Sequence, residues 1–397
     1  MYGIRLSSIG RRAVRRRRPV DGGAEVPSMV NLVPPNKNPA KPEPVISPVF
    51  YGLLIFLPIS WYFGLTRETS TLTFVTAILG IIPLARLIGY ATKEIALQTN
   101  PAFGGLINAT FGNMIELLIA FLAIRKGPQL YDVVKASIIG SIIGNILLLT
   151  GLSIFFGGLR FKQQRFNKAS VGVSSTMLII AVCGLAVPTV YSTTSAATAR
   201  QTEILSDAVA IIMALIYFAG LLFAFFTHKY LFDASDEMRA AKEQTTITKR
   251  QAAFLLLGCT AAVAFESELL VKNVEYASLR MGLGQTFVGV VVIAIITNIA
   301  EKANAIHFAI DNKIDISLEI GLSSAIQIAL FVVPTLVLVS SLGNLEFLLV
   351  FTNFQIIAVL FAVMIVNYLS ADGVCNWLEG AQLVTVYLIL AIAFFFM

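Results

Sequence analysis

Between residues 133 and 158 the chain carries a single charged side chain, Lys135. An apolar run of that length exceeds the ~18 residues that mark a helix able to cross a bilayer. Such runs recur along the sequence and decide which solvent the chain folds in. Charged residues make up 13% of its 397 residues and hydrophobic ones 57%. Ordinary soluble domains carry roughly 25% charged residues, so this chain cannot clothe a water-facing surface. Lipid is the solvent for most of it. Hydropathy predicts eleven spans, at about 46–65, 71–91, 103–124, 133–158, 169–190, 203–226, 250–272, 283–310, 314–340, 345–369 and 375–396.

The net charge of +6 is unevenly spread. The first twenty residues hold Arg5, Arg11, Arg12 and Arg15 to Arg18, with no acid. A nucleic-acid arm or a cleaved organellar presequence would use such a stretch, but orientation of a membrane protein by cytoplasmic positive charge is the simpler reading. No apolar core follows within 45 residues, which argues against a secretory signal. Residues 21–48 hold seven prolines and read as a disordered tether. With the N-terminus inside, Arg160, Lys162, Arg165 and Lys168, then Lys229, Arg239, Lys242, Lys249 and Arg250, fall in inside loops. Outside loops keep Arg67, Arg125, Lys126, Arg200 and Arg280. Cys183, Cys259 and Cys375 are scattered through apolar segments, in a spacing that suits neither a metal site nor a disulfide framework.

Segment 227–249 is the one sizeable polar interruption, and the spans on its two sides repeat one another. Gly112-Asn113-Met114-Ile115-Glu116 in the third span matches Thr297-Asn298-Ile299-Ala300-Glu301 in the eighth. Gly140-Ser141 with Asn145 in the fourth matches Ser323-Ser324 with Gln327 in the ninth. Glu301 lies 185 residues after Glu116, and Ser324 lies 183 after Ser141. Five spans is an odd number, so the halves enter the membrane from opposite sides. The expectation is an all-α membrane protein of eleven transmembrane helices, one peripheral helix plus two inverted five-helix repeats. Its parts are a basic, Pro-rich tail over 1–45, a peripheral first span over 46–70, a first repeat over 71–226, a cytoplasmic linker over 227–249 and a second repeat over 250–397.

Glu116 and Glu301 are the centre of the functional reading. A carboxylate deep in an apolar span costs about 2.5–3.5 kcal/mol even on insertion scales, so it should face a cavity or an ion. Asn113 and Asn298 stand three residues before them and share their helix faces. Ser141, Asn145, Ser324 and Gln327 add hydroxyl and amide oxygens from neighbouring spans. A set of hard oxygens with two anions suits Ca2+, which takes six to eight oxygen ligands. No His or Cys joins the set, which disfavours soft metals. When the ion leaves, two desolvated, mutually repelling carboxylates bind protons instead, and that competition is a basis for antiport. The polar residues could also serve only as glue between helices.

These residues lie in stretches that resemble a known family. Gly112 to Asn167, with GNMIELLIAFLAIRKG, VVKASIIGSIIGNILLLTGLSIFFGGL and KQQRFN, is similar to the first signature repeat of the calcium/proton exchanger family, within the calcium/cation antiporter superfamily. Asn298 to Pro334, NIAEKANAIHFAIDNKIDISLEIGLSSAIQIALFVVP, resembles the second. The resemblance covers essentially residues 50–396. It implies an eleven-span fold, Ca2+ and H+ as transported ions with no cofactor, and the two glutamates as their shared site. It also implies an integral multi-pass protein of a bacterial plasma membrane or a eukaryotic vacuole. The chain departs from the family pattern at five positions. Thr297 and Lys302 replace the Gly and His of Gly-Asn-Ala-Ala-Glu-His, Met114 and Ile115 replace a small residue and Thr, and Ser323 replaces Gly before Ser324.

Lys302 poses a question of direction. Turned toward Glu301 it is an internal cation that weakens divalent binding, and exchange of Mn2+ or Na+ becomes an alternative. Turned away, Glu319 or Asp315 could hold it. His307 reads as packing or snorkelling, with a proton relay as the alternative. Glu203, Asp207, Glu266, Glu268 and Glu275 are expected toward outer span ends, as an electronegative vestibule or a solvated rim. Lys93, Glu94 and Glu319 fall near inside ends. The sequence holds no His-Glu-x-x-His, no serine elbow and no phosphate loop, so an enzyme is disfavoured; a non-transporting scaffold is the remaining class. Lipid, Ca2+ and H+ are the expected partners, and nucleic acid is not.

Overall fold

The computed structural model describes residues 48–66, 69–99, 101–195, 198–228 and 245–397, apart from the side chains at 48, 49, 101, 102, 105, 109, 300 and 301. The expected tail over 1–45, most of the linker 227–249 and the side chain of Glu301 lie outside the described residues. The chain folds into helices α1 (Pro48–Leu53), α2 (Phe56–Thr66), α3 (Thr71–Leu97), α4 (Pro101–Phe111), α5 (Met114–Lys126), α6 (Pro128–Arg160), α7 (Lys168–Thr194) and α8 (Ala199–Thr227). After the linker come α9 (Lys249–Met281), α10 (Gln285–Thr297), α11 (Ile299–Ile310), α12 (Ile314–Leu342), α13 (Asn353–Leu369) and α14 (Trp377–Phe395).

Helix starts follow the local chemistry of the sequence. Ser70 caps α3 by accepting from the Leu72 amide, and Asn167 caps α7 by accepting from Ala169 and Ser170. Reciprocal capping boxes open α8 with Thr198 and Gln201, α9 with Thr248 and Gln251, α13 with Thr352 and Gln355, and α14 with Asn376 and Glu379. Gly282 closes α9 in the left-handed region, at φ +67°.

Among the described residues, seven helices are long and apolar enough to cross a membrane alone: α3, α6, α7, α8, α9, α12 and α14. α10 and α11 form an eighth when taken together across a bend of 59°. The predicted first and tenth spans are shorter apolar helices, Phe50–Thr66 and Asn353–Leu369. The predicted third span is two helices, α4 and α5. Side chains sort by helix. α6 is buried along most of its length, whereas Ile211, Ile212, Leu215, Phe218 and Leu222 of α8 are exposed. An apolar face of that kind is stable against lipid, where backbone groups are satisfied within each helix. The chain is an integral multi-pass membrane protein.

Two expectations need correction. The fold is not wholly α: Gln164–Arg165 and Val374–Cys375 form a short antiparallel pair, β1 and β2. The tenth span begins at Asn353 rather than 345. Residues 345–352 are apolar because Phe347 and Leu349 are buried in the protein, not because they are helical. Their backbone is held by side chains: Leu349 N–H donates to Ser206 Oγ (2.7 Å) and Phe351 N–H to Thr189 Oγ1 (3.1 Å).

Loops meet in sets. Arg160 lies 3.7 Å from Asp311, and Gln164 Nε2 donates to Asn312 Oδ1 (3.1 Å), which joins the loops after α6 and α11. The β1–β2 pair adds the loop before α14 to that set. A separate set joins residues 345–352 to the end of α7 and the start of α8.

Candidate ion-binding site

Two helix breaks organise the site. Gly112 and Asn113 form a turn between α4 and α5, and Asn298 separates α10 from α11. The two asparagines have similar backbones, φ −106° and ψ 24° at Asn113 and φ −102° and ψ 8° at Asn298. Each offers its carbonyl to the fourth residue on: Leu117 N–H donates to Asn113 O (3.1 Å) and Lys302 N–H to Asn298 O (3.0 Å). Each therefore stands at the N-cap of a half-helix, with the glutamate at its third residue. The positive end of a helix dipole favours an anion there.

The fourth and ninth predicted spans carry a matching distortion. α6 widens into a π-helix over Gly144–Leu149 and α12 over Ile328–Val332. A π turn inserts an extra residue and redirects the side chains beside it, often at functional sites. Here the side chains are Asn145 and Gln327. The two helices meet closely at this level, since a Cβ on Gly321 would stand 2.8 Å from Thr150 Oγ1 and 3.2 Å from Asn145 O.

Six of the predicted residues join in hydrogen bonds that cross between the two halves. Asn113 Nδ2 donates to Gln327 Oε1 (2.6 Å). Asn145 Nδ2 donates to Ser324 Oγ (2.8 Å), which in turn donates to Asn113 Oδ1 (3.4 Å). Asn298 Nδ2 lies 3.4 Å from Ser141 Oγ, 3.1 Å from Thr297 Oγ1 and 3.2 Å from Ala294 O. Gln327 is half-buried and the other five are buried. Glu116 is also buried, and its carboxylate lies against Thr297 and Asn298 of the other half. Buried acceptors without a partner cost about 1–3 kcal/mol each unless something satisfies them. Among the described residues, Glu116 Oε1 and Asn145 Oδ1 are two such oxygens. Their chemistry fits a hard cation.

Lys302 turns inward. Its side chain is buried, Nζ donates to Ala294 O (3.2 Å), and it lies within Coulombic range of Glu116. Glu319, offered above as an anchor for it, instead accepts from Ser170 Oγ (3.4 Å), and Asp315 accepts from the Asn167 N–H. His307 is exposed and faces Asp311 across 3.5 Å.

The expected vestibule is only partly at the surface. Glu268 and Glu275 are exposed and Glu203 pairs with Arg200 (3.6 Å). Asp207 is held by Ser341 Oγ (2.9 Å). Glu266 does not belong to a rim: it is fully buried and accepts from Ser60 Oγ (2.6 Å). Hydropathy ended its span at 272, but α9 runs to Met281, which moves Glu266 to the middle of the helix. Lys93 is exposed near a helix end. Glu94 is buried and holds the end of the linker through Thr246 N–H and Oγ1. The sequence reading missed the Ala294 carbonyl and Thr297. The first carries no side-chain signal, and the second showed only as a departure from Gly.

Comparison with known proteins gives a consistent outcome. A model of the sodium/calcium exchanger protein family matches residues 69–226 and 251–396. The Ca(2+)/H(+) antiporter of Aphanothece halophytica is 40% identical over 361 residues, covering 88% of this chain and 96% of its own. The Ca(2+)/H(+) antiporter ChaA of Bacillus subtilis is 38% identical over 341 residues, covering 85% and 96%. The solved structure of native YfkE superposes with a TM-score of 0.75 at 35% identity, over 88% of this chain and all of that one.

Proposed function

Since this chain belongs to the sodium/calcium exchanger protein family, we propose that it is a secondary active antiporter that moves cytoplasmic Ca2+ in exchange for H+ through a mid-membrane site built on Glu116 and Glu301. The cross-half network of Asn113, Asn145, Ser324 and Gln327 carries this reading, with Glu116 beside Asn298 and Thr297. Amide, hydroxyl and carboxylate oxygens are the ligands a divalent calcium ion requires. Two carboxylates match its charge. In a site poor in water they repel one another once the ion has gone, which favours protons in its place.

We read the architecture as eleven spans in two inverted repeats, with α2 peripheral. Support comes from which loops meet. Counted from a cytoplasmic N-terminus, the loops after α6, after α11 and before α14 all fall inside, and they contact one another. The α7–α8 loop and residues 345–352 fall outside, and the segments flanking that loop hold the latter. The paired helix breaks and the π turns at Gly144–Leu149 and Ile328–Val332 fit the same repeat, whereas those at Phe223–Thr227 and Val288–Ile293 stand outside it. α3 and α9, the first helices of the two halves, pack along each other and are the pair whose sliding would alternate access.

The test is proton-gradient-driven Ca2+ uptake into sealed vesicles. Glu116→Gln and Glu301→Gln should each reduce uptake by about a hundredfold or more, since each removes one of the two anionic ligands of the proposed site. Parental uptake by both variants would overturn the assignment.

A further inference from the structure

We propose that Lys302 is a tethered cation: its ammonium holds the Ala294 carbonyl beside the ion site, and an incoming divalent cation must displace it. The proposal rests on the two-glutamate reading and deepens it.

The helix break frees a group for the lysine to hold. In an unbroken helix the Asn298 N–H would donate to the Ala294 carbonyl. At the break it turns to Ile296 O instead. Ala294 O is then left to side chains: Lys302 Nζ and Asn298 Nδ2 each reach it at 3.2 Å, and Thr297 Oγ1 donates to it at 3.5 Å. Carbonyls released where a membrane helix unwinds are the groups with which transporters coordinate cations. In this chain the cation already there is part of the protein.

The surroundings suit an ammonium. Lys302 is 6% exposed, so its charge is withdrawn from bulk solvent. Nζ lies 3.7 Å from where a Cβ on Gly144 would stand, at the first residue of the π turn that presents Asn145. Glu116, from the first half, is in Coulombic range. The lysine therefore stands between the broken helix of one half and the π turn and carboxylate of the other. The arrangement is one-sided, because the residue 185 positions earlier is Leu117.

Two cations a few ångströms apart in a low-dielectric site repel strongly. Ca2+ binding and the inward position of the ammonium thus exclude one another, and the lysine sets a threshold on cation affinity. Removing the charge should tighten Ca2+ binding. A merely structural lysine would have the opposite signature, since its loss would loosen the site.

The experiment is calorimetric titration of the purified full-length chain with Ca2+ at one fixed pH. Lys302→Met matches the apolar character of Leu117. Lys302→Gln keeps a donor for Ala294 O, which guards against a folding defect. Both should bind Ca2+ about tenfold or more tightly than the parent, as expected for removal of a nearby like charge. Lys162→Gln, which deletes an exposed charge, should leave affinity unchanged. Affinity in Lys302→Gln equal to or weaker than the parent would overturn the proposal. Glu116→Gln separates the two readings. If it abolishes binding while the lysine variants bind like the parent, the tethered cation falls and the two-glutamate site stands. If it binds Ca2+ like the parent, the site itself is wrong.

Discussion

Ser324 links the two halves through one oxygen, accepting from Asn145 and donating to Asn113. Ser324→Ala strands two buried amides, at about 1–3 kcal/mol for each group left unsatisfied. The variant should melt at a lower temperature in detergent and bind Ca2+ more weakly; a parental midpoint would mean the amides find other partners. At this scale the sequence was informative because polar atoms in apolar spans are expensive and so conspicuous. Asn113, Ser141, Asn145, Asn298, Ser324 and Gln327 could all be picked out from that cost. The Ala294 carbonyl could not, because every residue has one and only the break at Asn298 frees it. Glu266 misled for a related reason: its burial against Ser60 depends on how far α9 continues past its apolar stretch.

At the level of elements, the helix crossing behind the site depends on missing side chains. A Cβ on Gly140 of α6 would collide with the Val290 backbone, and one on Gly289 would stand 2.8 Å from Ala136 Cβ and Val133 O. Such small-residue contacts let membrane helices approach at backbone distance. Gly140→Ala is therefore expected to destabilise the protein by about 1–3 kcal/mol, as overpacking does. Gly89 in α3 meets nothing within 4 Å. Gly89→Ala should be neutral or stabilising by about 0.5–1 kcal/mol, the ordinary helical preference for alanine. Thermal unfolding of the pair checks the contrast, and equal midpoints would contradict the crossing. Helix type and approximate place were legible, because apolar length is a composition property. The breaks at Asn113 and Asn298 and the π turns were not, since hydropathy averages over one or two irregular residues.

For the whole molecule, the distribution of basic residues predicts sidedness. Lys162 lies before α7 and Arg200 after it, and both are exposed. In cells, a membrane-impermeant maleimide should label Arg200→Cys directly, but Lys162→Cys only after the membrane is opened. Labelling of both from one side would remove α7 as a span and undo the odd count on which inversion depends. The native Cys375 offers little background: burial, with Glu379, Asp372 and Asp315 nearby, pushes its thiol up to about 12, so almost no thiolate exists at neutral pH. Sequence alone determined the solvent, the approximate helices and the polar residues, because each follows from the cost of placing particular atoms in hydrocarbon. Tertiary structure decided which of those residues touch, which carbonyl the chain releases and where the Lys302 ammonium points. Those outcomes depend on how helices far apart in sequence cross, and no local pattern of residues encodes a crossing.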